Sequence, residues 1–323
     1  MTASPPPTLA LHTLGGDTMG TLWSVRLAAA READLRGLHA GIETRLALVV
    51  RQMSTWETDS DISRYNRAEA GQWLPVPPEF AQVLAGALAI AEASEGAFDP
   101  SVGTLVGLWG FGPNSHAGVP DAEALRDARK HAGWRRIGLD RDALRVLQPG
   151  DVQLDLSAIA KGYAVDLVAA YLREAGIGSA LVEVGGELAG FGRKPDGEPW
   201  RVLVEAGPEE DDHRLDARVL DLDGIAVATS GDRWHHYTRN GRRYTHTIDP
   251  RSGAPVAHAP AAVSVIASDA MHADGWATAL GVLGTDAGHA LALRLGLAAR
   301  FLWRDDDGMQ ERMTDTFRAH LAA

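Results

Sequence analysis

The sequence predicts an α+β fold of mainly antiparallel sheets with packed helices. Strand-like runs follow one another across hairpin-type turns, as at Asn240-Gly241, instead of alternating one for one with helices. No Gly-x-Gly-x-x-Gly follows a predicted strand, so a dinucleotide-binding Rossmann unit has no support. With 323 residues, 45% of them apolar, the chain can bury a sizeable core. Residues 1–8 read as a disordered tail and 9–323 as one large domain or two intimate α+β lobes.

Composition narrows the function. A formal net charge of -12 argues against nucleic-acid binding. It also means that an anionic ligand must be held by local donors or by a metal. The absence of cysteine excludes disulfides, thiolate metal sites, Cys nucleophiles and a lipid-bearing N-terminal Cys. The first residues lack the basic and apolar regions of a signal peptide, and no apolar run approaches the ~20 residues of a membrane span. The chain as given is expected to be cytoplasmic, or periplasmic if a leader has been removed.

The elements follow in order. Residues 9–14 and 21–27 read as a hairpin around the glycine-rich 15–20. Leu35, Leu38, Ile42, Leu46, Val49 and Met53 recur at steps of three and four, which predicts a helix over 33–53. Ser54-Thr-Trp56 ends it, and Trp56 suits either stacking on a flat ring or ordinary core packing. Ser60-Asp-Ile-Ser-Arg-Tyr-Asn66 comes next. Residues 78–94 form a second helix stopped by Gly96. Beyond it, glycines crowd Phe98, Trp109 and Phe111. That composition fits a flat aromatic ligand, with Asp99 accepting from its edge, or a structural loop. A surface helix over 121–131 and a hairpin of 137–139 with 143–147 follow.

Residues 151–155 alternate like a strand. They run into Asp155-Leu-Ser-Ala-Ile-Ala-Lys-Gly-Tyr-Ala-Val-Asp166, an apolar helix to about residue 174 with Ser157 as N-cap and Gly176 as the stop. The first turn of a helix carries unpaired N–H groups and partial positive charge, and Lys161 adds a full one. Together they suggest an anion site, most simply for phosphate; a Lys snorkelling to water is the alternative.

Residues 179–184 form a buried strand, and Gly185-Gly186 allows close approach to a ligand or a bulge. Strands over 200–206 and 220–227 flank a polar surface loop at 208–214, and 234–248 forms a hairpin. His235 and His236 point to opposite faces, which disfavours a metal site; His246 is a candidate ligand contact or proton shuttle. A strand over 261–267 precedes helices over 271–283 and 286–295. Asp274 and Thr278 place two oxygens on one helix face. That pair suits Mg²⁺, or an Asp stabilised by the helix dipole beside a Thr bonded to its own backbone. A strand over 299–303, a turn at 305–308 and a short helix over 314–321 close the chain.

These motifs, in this order, resemble the ApbE-type FAD:protein FMN transferases (flavin transferases). The resemblance lies in Met19-Gly-Thr21, residues 54–66, 96–112 and 155–166, Gly185-Gly-Glu187, residues 226–253, and Ala273-Asp-Gly-Trp-Ala-Thr-Ala-Leu280, and spans about residues 14–302. Arg233-Trp234, Thr245 and Thr247 depart from the commoner family residues. An exported lipoprotein is common in the family, so the leaderless N-terminus is another departure. The resemblance implies an ApbE-like, T-fold-like architecture and Mg²⁺-dependent transfer of FMN from FAD to a Ser or Thr hydroxyl of a target flavoprotein, with AMP leaving. It implies Asp274, Thr278 and the Ala158 carbonyl as metal ligands. It implies FAD contacts at Met19, Trp56, Ala97, Phe98, Asp99, Lys161, Glu187, His246 and Ile248. Lys161 would neutralise charge beside the pyrophosphate, and Asp274 or His246 would serve as base. The alternatives are an FAD pyrophosphatase, with water as the acceptor, and a non-catalytic FAD carrier, against which Lys161 and the Asp274/Thr278 pair argue.

Overall fold

The computed structural model describes residues 8–113, 118–204, 218–231, 236–239, 242–256, 261–306 and 308–322. Strands β1 (Leu9–Thr18) and β2 (Thr21–Ala30) open the chain as a hairpin. Helices α1 (Leu35–Met53), α2 (Asp61–Asn66) and α3 (Pro78–Ala93) follow, with β3 (Trp73–Pro75) between the last two. Helices α4 (Gly103–Leu108) and α5 (Ala122–Lys130) and strands β4 (Gly138–Asp140) and β5 (Arg145–Leu147) lead to α6 (Ala160–Glu174). Strands β6 (Ala180–Val184) and β7 (Glu187–Phe191) form a tight hairpin. A separate ribbon of β8 (Trp200–Val204) and β9 (Arg218–Leu222) precedes β10 (Ile225–Gly231). Two small hairpins, β11 (His236–Arg239) with β12 (Arg242–Thr245) and β13 (Ile248–Asp249) with β14 (Ala254–Pro255), come before β15 (Ala262–Ala267). Then follow α7 (Ala270–Leu295), β16 (Ala298–Asp305), β17 (Gly308–Met313) and α8 (Asp315–Arg318).

Eight strands join in the order β1-β2-β6-β7-β10-β15-β16-β17. Every neighbouring pair is antiparallel, in agreement with the predicted class. Because side chains alternate along a strand, the sheet buries both faces. Val25, Leu27 and Val182 face Ile42 and Leu46 of α1, Phe80 and Leu84 of α3, and Val165 and Val168 of α6. Leu181, Val227 and Ile266 face the other way, onto Trp200, Leu220, Leu222 and Phe317. The apolar stripe read for α1 is the face it buries, and Asp34 caps it by accepting from the Gly37 N–H.

Several elements differ from expectation. The first hairpin is tighter. Its register runs to Thr18 opposite Thr21, so only Met19 and Gly20 remain in the turn. Their φ angles of 50° and 71° are the left-handed pair that a type I′ turn requires. Residues 151–155 form no strand; Gln153 makes only an isolated bridge with Val102. The run over 220–227 is two strands, parted at Gly224 with φ 78°. The helices expected over 271–283 and 286–295 are both present, parted within α7 at Gly284, whose φ of 79° and ψ of 175° are not helical. Strand β17 has no counterpart in the prediction, since Gln310-Glu-Arg312 breaks any apolar alternation; its pairing with β16 decides it. The Asn240-Gly241 turn and the 208–214 loop lie outside the described residues. Among the described residues no helix is long and apolar enough to cross a membrane.

Candidate active site

The site grows from the start of α6. Ser157 is exposed and lies before the helix, and its own N–H donates to Asp155 Oδ1 at 2.8 Å. It is not the N-cap; Ile159 occupies that position and offers no side-chain acceptor. The missing cap comes from the neighbouring helix. Asp274 Oδ2 on α7 accepts from the Gly162 N–H at 3.0 Å. Four residues on from Ala158, that N–H is the one that would otherwise return to the Ala158 carbonyl. Its diversion leaves the carbonyl free for a ligand. The two helices touch closely here: a Cβ on Gly162 would lie 2.2 Å from the Ala270 carbonyl oxygen and 2.8 Å from Asp274 Cβ.

Lys161 reaches from the same turn to Glu187, with which it forms an ion pair. The Lys161 side chain keeps 31% of its exposure, whereas Glu187 keeps 3%. Glu187 begins β7 directly after the Gly185-Gly186 hairpin turn. A Cβ on Gly185 would meet Thr21 Cγ2 at 2.9 Å and Lys161 Cδ at 3.3 Å. The Met19-Gly20-Thr21 tip therefore lies against the same turn. Motifs far apart in sequence meet around Lys161.

The electrostatics show a cluster with too little positive charge. Burial raises the Glu187 carboxyl above its ordinary range, Asp274 raises it further, and Lys161 opposes both. Burial likewise raises Asp274, against Lys161 and the Gly162 N–H. For Lys161, burial pulls downward, but Asp274 and then Glu187 hold it above its ordinary value. Glu187 Oε2 is buried with no hydrogen-bond partner. Asp274 is 5% exposed, and Thr278 lies one turn further along α7, half-buried. The Asp274 carboxylate, the Thr278 hydroxyl and the freed Ala158 carbonyl are hard donors that fit Mg²⁺. Among the described residues no three His, Cys, Asp or Glu side chains come together as a metal cage; this oxygen set draws on backbone and hydroxyl instead.

The other predicted residues fall into three settings. Trp56 is 67% exposed just past α1, with an open ring. Ala97 and Phe98 are buried, and the Phe98 ring packs into the main core. Asp99 accepts from Ser101 N and Oγ and from Trp134 N, so both its oxygens tie the loop together. That loop is strapped to the approach to Ala158, because the Asp155 N–H donates to the Pro100 carbonyl at 2.8 Å. Ala97 also packs against Val256 and Val282, two turns along α7 from Asp274. Near it an aromatic cluster forms. Tyr237 stacks on Tyr244 at 5.2 Å and meets Phe111 at 5.4 Å, and His246 stands edge-on to Phe111 at 6.5 Å. Ile248 packs there against Trp109. His235 and the His236 side chain lie outside the described residues.

Sequence reasoning passes over Gly162 and Asp166. A glycine inside a helix is a poor helix former, so its presence signals a close approach. Asp166 takes the N–H groups of Ala270 and Met271, at 2.8 and 2.9 Å. Nothing local in the sequence reveals those partners. Asp166 also lines a cleft of about 340 Å³ with Gln82, Arg173, Gly190, Asp269 and His272. Lys161, Glu187 and Asp274 do not line it. Burial pushes Asp166 up to about 6, with the two N–H groups opposing. A carboxyl raised on folding gives stability that is full below its unfolded value and lost as pH rises through its folded one. Wild-type unfolding free energy is therefore expected to fall relative to Asp166→Asn between pH 4 and 6, by at most about 3 kcal/mol. Denaturant titrations across that window check it; a flat difference contradicts it.

The profile of the ApbE family matches residues 19–301. An FAD:protein FMN transferase of Klebsiella pneumoniae (strain 342) is 35% identical over 323 residues, covering 99% of this chain and 91% of the relative. The crystal structure of the Pseudomonas stutzeri flavinyl transferase ApbE, apo form, gives a TM-score of 0.89 at 39% identity, covering 98% of each chain. The flavin transferase ApbE from Vibrio cholerae gives 0.89 at 34% identity, covering 97% of this chain and 100% of that one. Fold, site and likeness define an enzyme of the flavin transferase class. The chain belongs to the ApbE family.

Proposed function

We propose that the protein transfers FMN from FAD to a Ser or Thr hydroxyl of a target flavoprotein and releases AMP. The observation that carries this reading is the cluster of half-buried Lys161 with buried Glu187 and Asp274, set at a helix start beside two freed oxygen acceptors. The acceptor oxygen forms a bond to the FMN phosphorus while the bond from that phosphorus to the AMP oxygen breaks. The hydroxyl proton leaves to a base, for which Asp274 and His246 are the available groups. Asp274, Thr278 and the Ala158 carbonyl would hold Mg²⁺, which supplies charge neutralisation on the pyrophosphate. Lys161 places its ammonium beside the same charge. The exposed Trp56 and the Met19 tip offer surfaces to the ring system.

Incubation with FAD and Mg²⁺, with and without an acceptor carrying an exposed Ser or Thr, tests the proposal. AMP together with a flavin-fluorescent acceptor band is expected. AMP and free FMN without such a band would make the protein a pyrophosphatase, and bound, unchanged FAD would make it a carrier.

A further inference from the structure

Two cross-links tie α6 to α7. Gly162 N–H on α6 donates to Asp274 on α7, and Asp166 on α6 accepts from Ala270 and Met271 on α7. The first joins 162 to 274 and the second joins 166 to 270. Four residues forward on α6 correspond to four back on α7, so the helices run antiparallel with rungs about 6 Å apart. Position 158 lies just ahead of α6 and position 278 one turn beyond Asp274, so both stand past the Gly162–Asp274 bond at the same end of the crossing. These are Ala158 and Thr278, the remaining members of the oxygen set assigned above to Mg²⁺.

We infer that Asp166 is a positioning residue for that set. Its two oxygens hold the first two N–H groups of α7 and fix the register at which Asp274 and Thr278 come level with the start of α6. A carboxylate suits this role because it accepts from two adjacent N–H groups and its charge is favourable at a helix N-terminus. The close crossing at Gly162 and its bond to Asp274 hold the helices at one point, and Asp166 holds them at a second, one turn further along α6. A slip of one turn would carry Asp274 about 5.4 Å from its place. Asp269 cannot substitute. It caps α7 locally, accepting from the His272 N–H at 2.9 Å, and makes no bond to α6. The inference rests on the metal assignment proposed above.

The test compares Asp166→Ala, Asp166→Asn and Asp269→Ala with wild type, with Asp274→Ala as reference. The first readout is the Mg²⁺ concentration giving half of the Mg²⁺-induced rise in Tm with FAD present. The second is the split between kcat and KM for FAD. Asp166→Ala is expected to raise the Mg²⁺ requirement at least tenfold and to lower kcat ten- to a hundredfold, with KM nearly unchanged. Asp166→Asn keeps one acceptor and should fall between; it also carries the test if the Ala variant does not fold. Asp269→Ala should lower Tm and leave the Mg²⁺ requirement alone. A wild-type Mg²⁺ titration in both Asp166 variants, or an equal shift in Asp269→Ala, overturns the inference. If Asp274→Ala also titrates like wild type, the metal assignment falls with it. If Asp274→Ala alone loses the response, only the role of Asp166 is wrong.

Discussion

Asp274→Ala is expected to cut FMN transfer roughly a thousandfold while FAD still binds. The carboxylate sits at the centre of the site in two ways: it caps Gly162 and it faces the Lys161 ammonium. Removing it costs one helix cap, about 1 kcal/mol, and relieves the crowding of two carboxylates around one lysine. The protein should therefore remain folded, and the loss should appear in turnover. Asp274→Asn sharpens the point, because its carbonyl can still accept from Gly162 but brings no charge. AMP release measures turnover, and quenching of FAD fluorescence measures binding. Full transfer by the Ala variant would remove Asp274 from the chemistry.

The largest effect on stability should come from Gly162→Ala. Helix propensity alone predicts a gain of about 1 kcal/mol from this change. The packing predicts the opposite. The new methyl would lie 2.2 Å from the Ala270 oxygen and 2.6 Å from its carbon, and these are backbone atoms with no rotamer to escape into. The helices must part, which costs about 3 kcal/mol, and in a chain of 323 residues Tm should drop by roughly 4–5 °C. Gly107 on α4, whose added Cβ meets nothing within 4 Å, supplies the control. Calorimetry on both variants decides: a Gly162→Ala protein as stable as wild type would mean that the crossing is looser than described.

What the sequence made legible was local. The stripe of α1 and the stop at Gly176 follow from periodicity and from a residue with positive φ, and both appear in the structure. The charged residues of the site were legible through the motif order. How they are held was not. The cap of α6 comes from Asp274, 112 residues later, and no local pattern around Ser157 could reveal it. By composition Asp99 suited either a ligand edge or a structural loop, and only the fold shows its oxygens accepting from Ser101 and Trp134. At the first hairpin, Gly15-Gly-Asp-Thr18 carries the composition of a loop. Pairing with Trp23 and its neighbours extends the strand through it.

The strand order also has a kinetic consequence. The inner edge of the first hairpin pairs with β6, with Trp23 opposite Val184. On a ribosome adding ~5–20 residues per second, the partner of Trp23 is made roughly 10–30 s later. During that interval β2 is a nascent apolar strand without its neighbour, open to pairing with another chain. The tip that borders Lys161 is thus among the first parts synthesised but is seated only when about half of the chain has been made, so β2 stands without its second neighbour until residue 184 emerges.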